Sequence, residues 1–93
     1  MEYKILYSET SRKQIRSLHP QLRPIIKSKL QHLSKNPFTG KFLERELAGY
    51  LSLSTKRYRI IYKVREGERL VEIHYIGHRK DIYELFKEQL VKE

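Results

Sequence analysis

Cysteine is absent from all 93 residues. That removes a disulfide framework, a thiolate nucleophile and any cysteine-based zinc site, and it suits a reducing compartment. Long hydrophobic runs are missing too. No stretch approaches the roughly 18 apolar residues of a membrane span, and Met1 to Tyr7 lacks the charged and apolar regions of a signal peptide, so the expectation is a soluble, cytoplasmic protein with no membrane partner. The sequence holds no glycine-rich phosphate loop, no Gly-x-Ser-x-Gly and no carboxylate pair on a defined scaffold, which leaves most enzyme classes without a foothold. Acidic residues are scarce: 11 Asp and Glu stand against 20 Lys and Arg, a formal charge of +9. Such a field attracts polyanions whatever the fold, and RNA, DNA, anionic lipid or an acidic protein would all answer to it.

The length allows one domain, residues 1–93, with one core of modest depth. Alternation of Tyr3, Ile5 and Tyr7 marks a short first strand. Ser8 offers an N-cap to a short helix carrying Ile15 and Leu18, which His19-Pro20 interrupts. A second helix places Leu22, Ile25, Ile26, Leu30 and Leu33 on one face and Arg23, Lys27 and Lys29 on the other, with Pro24 in its first turn and Asn36-Pro37 closing it. A connection follows, with a turn of helix over 42–47. Three strands come next, at 50–54, 58–64 and 70–76, and the link holding Gly67 makes the last two an antiparallel hairpin. Ile82, Leu85, Phe86 and Leu90 then form a terminal helix. The expected order is β-α-α-β-β-β-α, an α+β fold with a small antiparallel-rich sheet, an N-terminal helical hairpin and a C-terminal helix.

Within the strand at 58–64, alternation sends Tyr58, Ile60, Tyr62 and Val64 to the core and Arg59, Ile61 and Lys63 to the other face. If that strand pairs with the next, Arg59 lies near the exit His78-Arg79, so Lys56, Arg57, Arg59, Lys63, His74, Arg79 and Lys80 gather cations and rings from separate segments. Arginine offers a fork of donors to phosphate oxygens, and rings stack on unpaired bases. A metal-free ribonuclease needs a base for the 2′-hydroxyl, cations for the phosphorane and an acid for the leaving oxygen. His78 or Tyr83 fits proton transfer; Arg59 and Arg79 fit charge stabilisation. Structural readings stand beside these: Arg59 solvated or paired with Glu72, Tyr83 as packing, His74 as a half-buried structural histidine, and Lys56, Arg57 and Lys63 as a solvated edge. His74 and His78 do not share a helical face, so neither metal nor cofactor is expected.

Arg57-Tyr58-Arg59-Ile60-Ile61-Tyr62, the strand from Val71 to Ile76 and Gly77-His78-Arg79-Lys80-Asp81-Ile82-Tyr83-Glu84 resemble the RelE/ParE toxins of type II toxin-antitoxin systems. So do Phe38-Thr39-Gly40 and Leu47-Ala48-Gly49-Tyr50. The resemblance implies a neutralising acidic antitoxin of RelB type, with a toxin-antitoxin heterotetramer among the expected assemblies, and, in the RelE branch, ribosome-dependent mRNA endoribonuclease activity that stops translation. It aligns Arg59 and Arg79 with phosphate-contacting arginines, Tyr83 with a terminal-helix tyrosine at a shorter spacing, and His78 with a histidine in a different register. Where typical RelE nucleases carry strand lysines, this chain has Tyr50, Ser52 and Ser54, and the nearest cations are Lys56 and Arg57. The alternatives are a ParE-like gyrase inhibitor and a relic that only binds its antitoxin.

Overall fold

The computed structural model describes residues 2–92, so Met1 and Glu93 of the expected domain lie outside the described residues. β1 (Lys4–Tyr7) runs into Ser8, whose hydroxyl accepts the Ser11 amide at 3.0 Å and opens α1 (Glu9–Ser17). α2 (Arg23–Lys35) carries Pro24 in its first turn, where the missing amide is harmless, and stops at Asn36. β2 (Lys41–Phe42), β3 (Leu51–Ser54), β4 (Tyr58–Arg65), β5 (Leu70–His78) and α3 (Ile82–Lys92) complete the order, with short 3₁₀ turns at Pro37–Thr39, Arg45–Leu47 and Glu66–Glu68.

The sheet has five strands in the order β1-β5-β4-β3-β2. β1 lies parallel to β5 and every other pair is antiparallel, so the sheet is mixed. One expectation needs correction. The helical turn placed over 42–47 shrinks to Arg45–Leu47, because Lys41 and Phe42 pair with Ser52 and Leu51 as an edge strand. Gly40 makes that possible: its amide donates to the Tyr62 hydroxyl at 2.9 Å, and a Cβ there would sit 2.5 Å from the same oxygen. The β4–β5 pair is antiparallel as expected, and in its link Arg69, at φ 53°, takes a left-handed conformation.

β4 is central, and its alternation feeds two cores. Ile60 and Tyr62 pack with Leu51, Val71, Ile73 and Ile76 beneath Leu18, Ile26, Leu30 and Leu33 of the helical hairpin. Ile61 faces the opposite way, into a smaller core of Leu47, Ile82 and Phe86 under α3. Between Ile61 and Tyr62 the register slips past His74, a bulge that sends the rings of both His74 and Tyr75 toward Phe86, at 6.4 and 5.6 Å. β1 ends opposite Ile73, which would leave the rest of the β5 edge bare. α1 and its cap satisfy it: Ser8 donates to the His74 carbonyl, Ser11 to that of Ile73, and Gln14 accepts the Ile76 amide at 2.7 Å.

Candidate functional site

The β3–β4 hairpin turns tightly on Thr55, whose amide and hydroxyl both reach the Tyr58 carbonyl. Its tip presents Lys56 and Arg57. The Arg79 amide donates to the Arg57 carbonyl at 2.8 Å, which fastens the β5–α3 turn, with Arg79 and Lys80, beside that tip. Four exposed cations from two turns therefore meet at one end of the sheet, and among the described residues none of them joins an ion pair.

Arg59 lies just inside this end, on the α3 face, flanked in register by Ser54 on one side and Gly77 on the other. Neither neighbour carries bulk, so the guanidinium has room. Ile82, fully buried, pins the start of α3 to the sheet and thereby places Tyr83 over Arg59. Arg59 Nη1 donates to the Tyr83 hydroxyl at 2.9 Å, its Cζ lies 5.6 Å from the ring centre, and the Tyr83 hydroxyl donates in turn to Ser52 Oγ at 3.2 Å. The half-buried guanidinium thus meets the neutral Tyr83 hydroxyl and, among the described residues, joins no ion pair. Its Nε is sealed from solvent without an acceptor, an arrangement that costs about 1–3 kcal/mol and that an anion would relieve.

Other predicted members stand apart. His78 pairs in register with Tyr58, its ring 5.8 Å from that ring, and its Nδ1 accepts the Lys80 amide at 3.3 Å. Tyr58 packs toward the helical hairpin, so His78 lies across the sheet from Arg59. His74 and Lys63 share the face of Arg59 but sit toward mid-sheet: His74 Nε2 reaches Glu72 at 3.2 Å and its ring meets Tyr50 at 5.2 Å, while Lys63 Nζ rides 4.7 Å over Tyr50. Glu72, the partner considered for Arg59, instead takes Arg65 Nε at 2.6 Å. Burial pushes the Glu72 carboxyl up, but the Arg65 and His74 hydrogen bonds and charges outweigh it and hold the group below the usual glutamate range.

Ser52 belongs to the site and went unnoticed in the sequence except as an absent lysine. Alternation with Leu51 and Leu53 carried the signal for its face; only pairing and the α3 docking reveal its partner. Among the described residues no group of three or more His, Asp or Glu assembles as metal ligands would, and no helix is long and apolar enough to cross a membrane. An apolar-floored groove of about 410 Å³ lies elsewhere, between α1 and α2, and Arg59, Arg79 and Tyr83 do not line it.

Residues 5–83 match the family described as ParE toxin of type II toxin-antitoxin system, parDE. Toxin RelG of Mycobacterium tuberculosis is 34% identical over 85 residues, which cover 89% of this chain and 98% of that protein. Among solved structures, the toxin-antitoxin complex RelBE2 of M. tuberculosis superposes with a TM-score of 0.77 at 30% identity, over 85% of this chain and 100% of that one. A double mutant of E. coli toxin RelE in the free state gives a TM-score of 0.78 at 21% identity, over 99% of this chain and 97% of that one, a likeness of fold.

Proposed function

Because the chain belongs to the RelE/ParE family and is a toxin of type II toxin-antitoxin systems, we propose that it is a ribosome-dependent endoribonuclease whose cutting surface is the sheet end around Arg59. The observation that carries this is the Arg59 guanidinium, hydrogen-bonded to the Tyr83 hydroxyl, which in turn donates to Ser52, beside an exposed cationic surface and with its Nε buried and lacking an acceptor. In the reaction, the 2′-oxygen attacks the adjacent phosphorus, the bond to the 5′-oxygen breaks, and a 2′,3′-cyclic phosphate and a free 5′-hydroxyl result. Arg59, joined by Arg79, stabilises the charge that grows on the phosphorane oxygens, a role in which one donor is commonly worth a hundredfold or more. Tyr83, whose hydroxyl touches Arg59, gives its proton to the leaving 5′-oxygen while solvent water takes the proton from the 2′-hydroxyl. His78, across the sheet, takes no part. Lys56, Arg57 and Lys80 hold neighbouring phosphates. Tyr83 and α3 lie against Arg59 in the free chain, so productive contact needs the ring to yield as the phosphate arrives.

An acidic antitoxin is the proposed partner. The M. tuberculosis and E. coli relatives are seen in toxin-antitoxin complexes, and a charge of +9 favours an acidic segment laid over the basic surface. A second reading, gyrase inhibition, is favoured by the ParE match and by the serines standing where strand lysines are typical. Induction followed by primer extension separates the two: cuts inside translated messages support the nuclease, whereas intact messages with DNA-damage signalling support gyrase.

A further inference from the structure

Ser52 and Ser54 leave β3 without cations on the face where Arg59 acts. β2 supplies one from the next strand. Lys41 is the register partner of Ser52, and residues paired across a sheet share a face, so Lys41 stands on the Arg59 side while Phe42 turns to the other. Its position is fixed rather than incidental, because the Gly40 amide on the Tyr62 hydroxyl, itself donating to the Pro37 carbonyl at 2.8 Å, sets where the edge strand begins. Lys41 is exposed, and no ion pair occupies it among the described residues. Inward of Lys41 on this face stand its register partner Ser52, then Tyr83, which donates to Ser52, and then Arg59, which donates to Tyr83.

We propose that Lys41 binds an RNA phosphate next to the scissile one, providing from edge strand β2 the cation that β3 lacks. Two strand spacings, about 10 Å, separate β2 from β4, too far for the phosphate that Arg59 holds but suited to a neighbouring nucleotide. The proposal rests on the message-cleaving reading. Its rival is a lysine that merely guards a sheet edge against pairing with another chain.

The test compares wild type, Lys41→Gln, Lys41→Arg and the remote control Lys4→Gln for binding of a labelled, non-cleavable single-stranded RNA across a salt series, and for message cleavage on ribosomes. Lys41→Gln should weaken binding on the order of threefold to tenfold and lower the slope of log affinity against log salt by about 0.7, the value of one single-strand phosphate contact. Lys41→Arg should restore both, and Lys4→Gln should change neither. Unchanged binding and slope in Lys41→Gln overturns the proposal, and concentration-dependent self-association of that variant would assign Lys41 to edge protection. A wild-type chain that cleaves messages while Lys41→Gln matches it sinks the Lys41 inference alone; a wild type that neither binds RNA nor cuts messages sinks the parent reading as well.

Discussion

β4 carries two arginines on one face, and their surroundings differ in kind. At one end Arg65 is open to solvent, and its Nε is engaged by Glu72, which also holds His74. At the other end Arg59 is half-buried, bonds the Tyr83 hydroxyl, joins no ion pair among the described residues, and keeps a sealed Nε with nothing to bond. The guanidinium of Arg65 is thus matched by a carboxylate. The Arg59 end is left unbalanced inside the fold, beside four further cations on two turns. A buried unsatisfied donor persists only where the surrounding structure over-determines it, and such positions concentrate where ligands bind. Residue type therefore does not separate structure from function on this strand; the pairing of each side chain does.

The largest expected effect concerns stability on the mid-sheet side. Phe86 is buried against Tyr50, His74 and Tyr75, and Phe86→Ala should cost about 3–5 kcal/mol in urea unfolding. A loss under about 1 kcal/mol would mean α3 is not docked as described. Arg59→Ala should behave in the opposite manner. Stability should stay within about 1 kcal/mol of the parent, since the lost Tyr83 bond is offset by removal of the sealed Nε, while message cleavage falls about a hundredfold to a thousandfold. Tyr83→Phe keeps the ring over Arg59 but removes the hydroxyl, and cleavage should drop by about a hundredfold. Retained activity in this variant would move proton transfer elsewhere.

Much of this was legible in the sequence. The faces of β4 followed from alternation, the break after α1 from Pro20, the start of α1 from Ser8, and the antiparallel β4–β5 pair from the short link. β2 was not, since two residues carry no periodicity and their strand exists only because Gly40 lets the chain lie against Tyr62. The bulge at His74 was equally invisible, because a single extra residue leaves the apolar pattern of β5 intact until its partner strand is known. That same uncertainty in register is why His78 could be grouped with Arg59 from sequence, although pairing with Tyr58 puts it across the sheet.

The smallest expected effect lies at Glu72. Its folded pKa is depressed, so its contribution is complete above the ordinary glutamate value of about 4.3 and fades as pH falls through the lower folded value. Glu72→Gln should flatten that acid limb by less than about 1 kcal/mol, because the pair is partly solvated. A limb identical to wild type would show that the Arg65–Glu72–His74 group contributes nothing to folding.

The contrast between the two arginines is most directly examined by the rate of message cleavage on programmed ribosomes for Arg59→Ala and Arg65→Ala side by side. An open, functional end at Arg59 requires that the first variant lose cleavage by a hundredfold or more while the second stays within a few-fold of wild type. Equal losses, or full activity in Arg59→Ala, would contradict it.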